Sequence, residues 1–163
     1  MGEIIVVLGP NGYGKSLLLK TISGIIEPTS GYVKNSASSL SYLGHAAALP
    51  EKMTVRSFIN ICCKLFSTNF HEVNDVFNAK DLFEKKIDEI SRGERQRVAL
   101  TRTLIQGSKI NILDEPDAGL DSFYKNKLHE LINRKSKEGI SYVLSTHDND
   151  IIKNLEFSRI IGE

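Results

Sequence analysis

The sequence predicts an α/β fold with a mainly parallel sheet and a small helical subdomain inserted into it. Three observations carry this prediction. Short β-branched runs alternate with helix-like stretches at both ends of the chain. Strand signals stop from about Thr54 to Glu89, where apolar residues recur at helical spacing instead. A Gly-rich turn joins the first strand to the first helix.

Taken in order, Glu3 to Leu8 is a near-continuous β-branched run, expected of a strand buried on both faces. A helix from about Ser16 to Ser23 follows, with Gly24 as its cap. Pro28-Thr29-Ser30-Gly31 reads as a turn, with short strands expected at Tyr32–Lys34 and Leu40–Leu43. Val55, Phe58, Ile59, Cys62 and Leu65 mark one helical face, and Val73, Val76 and Phe77 repeat the pattern. The helical face is expected to be core. The alternation then resumes: helix Gly93–Ile105, strand Ile110–Leu113, helix Ser122–Lys137, strand Ser141–Ser145, a short helix near Asp148–Lys153 and a last strand Ser158–Ile161. The helical subdomain is expected at roughly 54–106 within a single domain spanning 1–163.

Composition narrows the function classes. Forty per cent apolar and 25% charged residues in 163 exclude a disordered or fibrous chain. Twenty-one Lys plus Arg against 20 Asp plus Glu leave a net charge of +1, so no general field draws in nucleic acid or anionic lipid. No direct nucleic-acid partner is expected. The apolar runs are far shorter than the ~20 residues of a membrane span. Met1-Gly2-Glu3 leads straight into the first strand, so no signal peptide is expected. Adjacent Cys62 and Cys63 read as core thiols, not a staple or a metal site.

The chemistry begins at Gly9-Pro10-Asn11-Gly12-Tyr13-Gly14-Lys15-Ser16, which fits G-x-x-x-x-G-K-[ST] between a strand and a helix. Glycines let the backbone wrap phosphates with its N–H groups inward, and the helix adds the positive end of its dipole. Lys15 supplies a mobile ammonium, and the Ser16 hydroxyl suits Mg²⁺. The nucleotide-binding set therefore runs from Gly9 through Leu17, and the fold class sharpens to a P-loop NTPase core. Ile110-Asn111-Ile112-Leu113-Asp114-Glu115-Pro116 is a buried strand ending in two acids. Ligands gather at the carboxyl ends of strands in open α/β sheets, so both acids are expected to face the phosphate loop. Asp114 suits the Mg²⁺ shell, and Glu115 suits the base that polarises the attacking water.

Together with Ile90-Ser91-Arg92-Gly93-Glu94-Arg95-Gln96-Arg97, Ala118-Gly119-Leu120-Asp121 and Ser145-Thr146-His147, these segments resemble the ATP-binding-cassette ATPases, in that family's order. The resemblance implies ATP and Mg²⁺ as cofactors, and a homodimer with each ATP sandwiched between two chains. In it, Ser91, Gly93 and Glu94 would face the γ-phosphate held by the other subunit, and His147 would be the switch histidine. It also implies a transmembrane permease partner and a peripheral place on the cytoplasmic face of the cell membrane. On their own residues, Ser91 and Glu94 form a capping box and Asp121 is an N-cap, worth about 1 kcal/mol each. An intersubunit role for Asp121 stays open. His71 and His129 lack any such setting and are expected to be solvated.

Three regions depart from the family pattern. Arg92 replaces a glycine and Glu94 stands where glutamine is commoner. Tyr42-Leu43-Gly44-His45 carries His45 where the family usually has the glutamine that touches Mg²⁺ and the attacking water. With Leu49, Met53 and Thr54, this segment resembles the ATP-binding subunit of the haem exporter of cytochrome c biogenesis, though Ala48-Leu49-Pro50 stands in place of Gly-Leu-Lys. Only 14 residues precede Lys15, where the family has two or more strands and an aromatic that stacks on adenine. Truncated N-terminal strands and a weaker hold on the purine are the expectation. The alternatives are an ABC ATPase of another transporter, or a non-transport ATPase acting on nucleic acid or ribosomes.

Overall fold

A computed structural model describes residues 2–34, 37–45, 48–70, 75–147 and 150–162. The elements run β1 (Ile4–Leu8), α1 (Lys15–Ile22), β2 (Leu40–Leu43), α2 (Val55–Leu65), α3 (Arg92–Gln106), β3 (Ile110–Asp114), α4 (Ser122–Lys137), β4 (Ser141–Thr146), α5 (Asp150–Asn154) and β5 (Arg159–Ile161). Two short 3₁₀ turns, Ala79–Leu82 and Ile87–Glu89, precede α3. The chain forms two compact units.

The first unit comprises Met1–His45, Ser108–Pro116 and Leu128–Glu163. It holds a five-stranded sheet in the order β2-β3-β4-β1-β5, and every pairing is parallel. Parallel neighbours need crossovers, which is why helical stretches alternate with β-branched runs in the sequence. Central β1 and β4 pair from Ile4–Tyr142 to Leu8–Thr146, so the loops after both strands open at the same sheet end. β3 pairs with β4 from Ile110–Ser141 to Asp114–Ser145, bringing the end of β3 there too. Val7, Leu19 and Ile112 pack into one buried cluster, which seats α1 on the sheet. Fully burying each such side chain contributes about 1.5–3 kcal/mol.

The second unit comprises Ala46–Gly107 and Asp117–Lys127. Its core joins Val55, Ile59, Cys62 and Cys63 of α2 to Ile87, Ile90, Val98 and Ile105. Both cysteines are buried free thiols, and burial pushes both thiols above their ordinary pKa. Thr54 caps α2 by accepting from the Ser57 N–H at 3.2 Å.

Four local expectations fail, each for a physical reason. Tyr32–Lys34 forms no strand: Tyr32 is 86% exposed and pairs with no neighbour in the sheet. Val76 and Phe77 form no α-helix, although Phe77 is fully buried. The Asp75 carboxylate there accepts from the Ala79 and Lys80 N–H groups, at 2.8 and 3.1 Å, and Asn78 turns left-handed at φ +51°. Val73 and His71 lie outside the described residues. Leu65 is the last residue of α2, where the helix ends, and is 71% exposed rather than core. His129 is buried, not solvated, because its position on α4 turns it inward beside Leu128 and Ile132.

Candidate nucleotide site

The site grows from the sharp exit of β1. Gly9, Gly12 and Gly14 adopt φ of +153°, +83° and +87°, conformations that side chains resist. A Cβ placed on Gly12 or Gly14 would meet nothing within 4 Å, so it is their left-handed backbone and not crowding that calls for glycine. Gly14 is the N-cap of α1, which has no side-chain cap and no acid in its first turn. The positive helix end is thus left for an external anion. Lys15 is buried and folds back over the loop, donating to the carbonyls of Gly9 at 2.5 Å and Pro10 at 3.0 Å. Asn11, Gly12, Tyr13, Gly14, Lys15 and Ser16 line a cavity of about 370 Å³ that His45 and Glu115 complete. Leu17 lies outside that lining and is exposed.

The far wall is one carboxylate in a dense setting. Glu115 is nearly buried, and its oxygens face three potential cations. His45 Nδ1 lies 3.0 Å from Oε2, His147 Nδ1 lies 3.2 Å from Oε1, and Lys15 Nζ is 4.0 Å from Oε1. Its backbone is left-handed at φ +48°, strained for a residue with a Cβ. The Glu115 N–H donates to Ser145 Oγ at 3.0 Å, and that hydroxyl donates to Asp114 Oδ1 at 2.6 Å. Buried Asp114 also faces the Tyr42 hydroxyl. Burial first, then the nearby Asp114 charge and its hydrogen bond, push the Tyr42 pKa up to about 12. Tyr42 therefore stays a neutral donor.

These residues suit a nucleotide polyphosphate. Open glycine backbone, an ammonium and an uncapped helix N-terminus answer the phosphates, while the Ser16 hydroxyl and the Asp114 carboxylate are hard oxygen donors of the kind Mg²⁺ takes. A family profile described as "ABC transporter" matches residues 1–118. The chain belongs to the ABC transporter family. It is an ABC-type ATPase domain of P-loop NTPase fold, and the family binds ATP.

Curated relatives agree. The chain is 36% identical to the zinc import ATP-binding protein of Wigglesworthia glossinidia brevipalpis, over 93% of this chain and 67% of the relative. It is 32% identical to the taurine import ATP-binding protein of Jannaschia sp. (99% and 64%). It is 31% identical to the cytochrome c biogenesis ATP-binding export protein of Gluconobacter oxydans (90% and 69%). The chain spans about two thirds of the length of these relatives. Among solved structures, an ABC transporter ATP-binding protein from Pyrococcus furiosus superposes with a TM-score of 0.77 at 28% identity, covering 91% of this chain and 80% of that one. An archaeal ribosome recycling factor superposes at 0.83 and 28% identity, covering 99% of this chain but 32% of that one.

The segment from Ile90 to Arg97, which resembles a family motif, lies in the second unit at the start of α3. Ser91 Oγ accepts from the Glu94 N–H at 3.2 Å, and Glu94 Oε2 accepts from the Ser91 N–H at 2.8 Å. Lys85 Nζ donates to the other Glu94 oxygen at 3.1 Å. The Ser91 N–H, foremost, and Lys85 hold the Glu94 carboxyl below its ordinary pKa. A Cβ on Gly93 would sit 2.5 Å from the Gly119 carbonyl oxygen, so this close approach requires glycine. Asp121 caps α4, accepting from the Tyr124 N–H at 3.0 Å. Arg92 lies alongside Gly119.

Lys15, Ser16, His45 and Glu115 are thus brought to one cavity, with His147 on its carboxylate. Sequence reasoning missed Ser145 and Tyr42, which hold the two acids. The signal for Ser145 was its place opposite Asp114 in the β3–β4 pairing, which a single strand does not display. A larger cavity of about 780 Å³ in the second unit, lined by Arg56, Lys64 and Lys80 beside Phe70 and Phe83, has no carboxylate among the described residues of its lining.

Proposed function

We propose that this chain is the ATP-binding and ATP-hydrolysing subunit of an ABC transporter. The observation that carries the proposal is Glu115 standing opposite Lys15 across the phosphate-loop cavity. Mg²⁺–ATP, when bound, would supply the phosphoryl group and a counter-charge for it. The chain's own residues do the rest. The loop amides and Lys15 orient the phosphates and neutralise their charge, with Ser16 and Asp114 as the residues to hold the metal. Glu115 takes up the proton side of the attacking water, and His147, already touching Glu115, answers to the γ-phosphate position.

The resemblance of the segment Ile90 to Arg97 to the family supports a homodimer with ATP between two copies. Among the described residues no helix is long and apolar enough to cross a membrane. Relatives named as import and export ATP-binding proteins support a peripheral subunit on the cytoplasmic face of the cell membrane, working with a transmembrane permease. For the cargo we read export for cytochrome c biogenesis, supported by Gly44-His45 and by relatives of that name. Relatives named for zinc import, three of them at higher identity, support zinc uptake instead. Complementation separates the two: restored holocytochrome c in a haem-export ATPase mutant supports the first, restored growth of a zinc-uptake mutant the second. The likeness to ribosome-associated structures favours a second class, action on ribosomes, for which ribosome-stimulated hydrolysis is the expected sign.

The test of hydrolysis is Glu115→Gln. We expect phosphate release to fall by at least ~100-fold, the typical yield of a positioned base, with Mg–ATP binding retained and the ATP-bound dimer accumulating on size exclusion. Unchanged turnover removes Glu115 from the chemistry.

A further inference from the structure

We propose that His45 is a positioning residue for Glu115 and acts through Nδ1, as the second half of an imidazole clamp. The inference rests on the hydrolysis reading above for its consequence, and on the geometry of the first unit for its substance. Glu115 offers two carboxylate oxygens in a nearly buried position, where each lacking a donor would be costly. The two are divided between two rings: Oε2 to His45 at 3.0 Å and Oε1 to His147 at 3.2 Å, both through Nδ1. The main chain of Glu115 is fixed separately, by its left-handed φ and its bond to Ser145 Oγ. Backbone and carboxylate are therefore held by different partners, and His45 sets where Oε2 points.

The ring atom in use decides between two roles. A glutamine at this position would carry its amide about as far from the backbone as Nε2. Here the contact to the protein is made by Nδ1, one bond nearer the backbone, while the side chain as a whole is 47% exposed. The Nδ1 contact leaves Nε2 free of this carboxylate. His45 thus serves the base and does not replace the missing amide.

Asparagine places its side-chain amide nitrogen near Nδ1, and glutamine near Nε2, so the two substitutions separate these roles. In steady-state ATP hydrolysis, His45→Ala is expected to lower kcat by roughly tenfold or more, the usual loss of a hydrogen bond to a charged group, with KM unchanged. His45→Asn is expected to restore most of kcat, and His45→Gln to resemble His45→Ala. Restoration by Gln but not Asn, or a loss confined to KM, overturns the clamp. An independent readout is the imidazole ¹⁵N spectrum of the unliganded protein. In Glu115→Ala the His45 Nδ1 resonance is expected to move away from its hydrogen-bonded position, as is that of His147. A His45 signal identical in both proteins overturns the proposal. If the wild-type protein shows no turnover sensitive to Lys15→Ala, the hydrolysis reading fails, and the ¹⁵N comparison still decides the clamp.

Discussion

The N-termini of α1 and α3 face the same physical problem and solve it in opposite ways. Each presents backbone N–H groups with no partner inside the helix and the positive end of a dipole. At α1 the cap is Gly14, left-handed, with no side chain and no acid in the first turn. At α3 the cap is Ser91, reciprocally bonded to Glu94, whose second oxygen takes Lys85. The first end is kept open for an anion from outside. The second is satisfied from within, by a carboxylate that the chain itself provides. An uncapped helix start is therefore a statement about ligand binding only where, as here, an ammonium and an open glycine backbone stand beside it.

Four substitutions sharpen or break this contrast. Lys15→Ala should weaken Mg–ATP binding about 10- to 100-fold, the loss of a charge-assisted contact, measured by isothermal titration. An unchanged affinity would mean that the open end of α1 does not receive the phosphates. Gly93→Ala should destabilise the second unit by about 1–3 kcal/mol, the range for overpacking, because its Cβ meets the Gly119 carbonyl at 2.5 Å. Urea unfolding reads this as a lower midpoint at constant slope. Ser91→Ala should cost about 1 kcal/mol in the same measurement, with no comparable site at α1 to lose.

Glu94→Gln should have the smallest effect, about 0.5 kcal/mol at neutral pH. Its sign with pH follows from the depressed carboxyl. Stability from the charged Glu94 is fully present above its ordinary value near 4.5, and is lost as pH falls through the lower folded-state value. Melting curves of both proteins should therefore converge in acid. A gap that stays constant down to pH 3 would show that the Glu94 charge contributes nothing.

Most of the sheet was legible because it is parallel and buried. Runs such as Ile4–Leu8 and Ile110–Leu113 have few other uses, and the helix Ser122–Lys137 announced itself by its Asp121 cap. The phosphate loop was legible for a local reason too, since its glycines, Lys15 and Ser16 sit within eight consecutive residues. What failed depended on neighbours that periodicity does not see. Tyr32–Lys34 had strand-like residues but no partner strand, and Val76–Phe77 had helical spacing but a competing Asp75 side chain. His129 looked ordinary in sequence and is buried by the register of α4. The site shows the same division. Glu115 was identifiable from its strand and proline, whereas its bond to Ser145 and its pairing with His45 join segments 30 and 70 residues away.

The left-handed backbone of Glu115 has a consequence for anyone selecting variants of this protein. A non-glycine residue held there costs on the order of 1 kcal/mol, and replacing it with glycine would return that energy to the fold. It would also remove the one carboxylate that lines the phosphate-loop cavity. Libraries screened for heat resistance alone should thus enrich Glu115→Gly, and the hardiest survivors would be the ones that had stopped turning over.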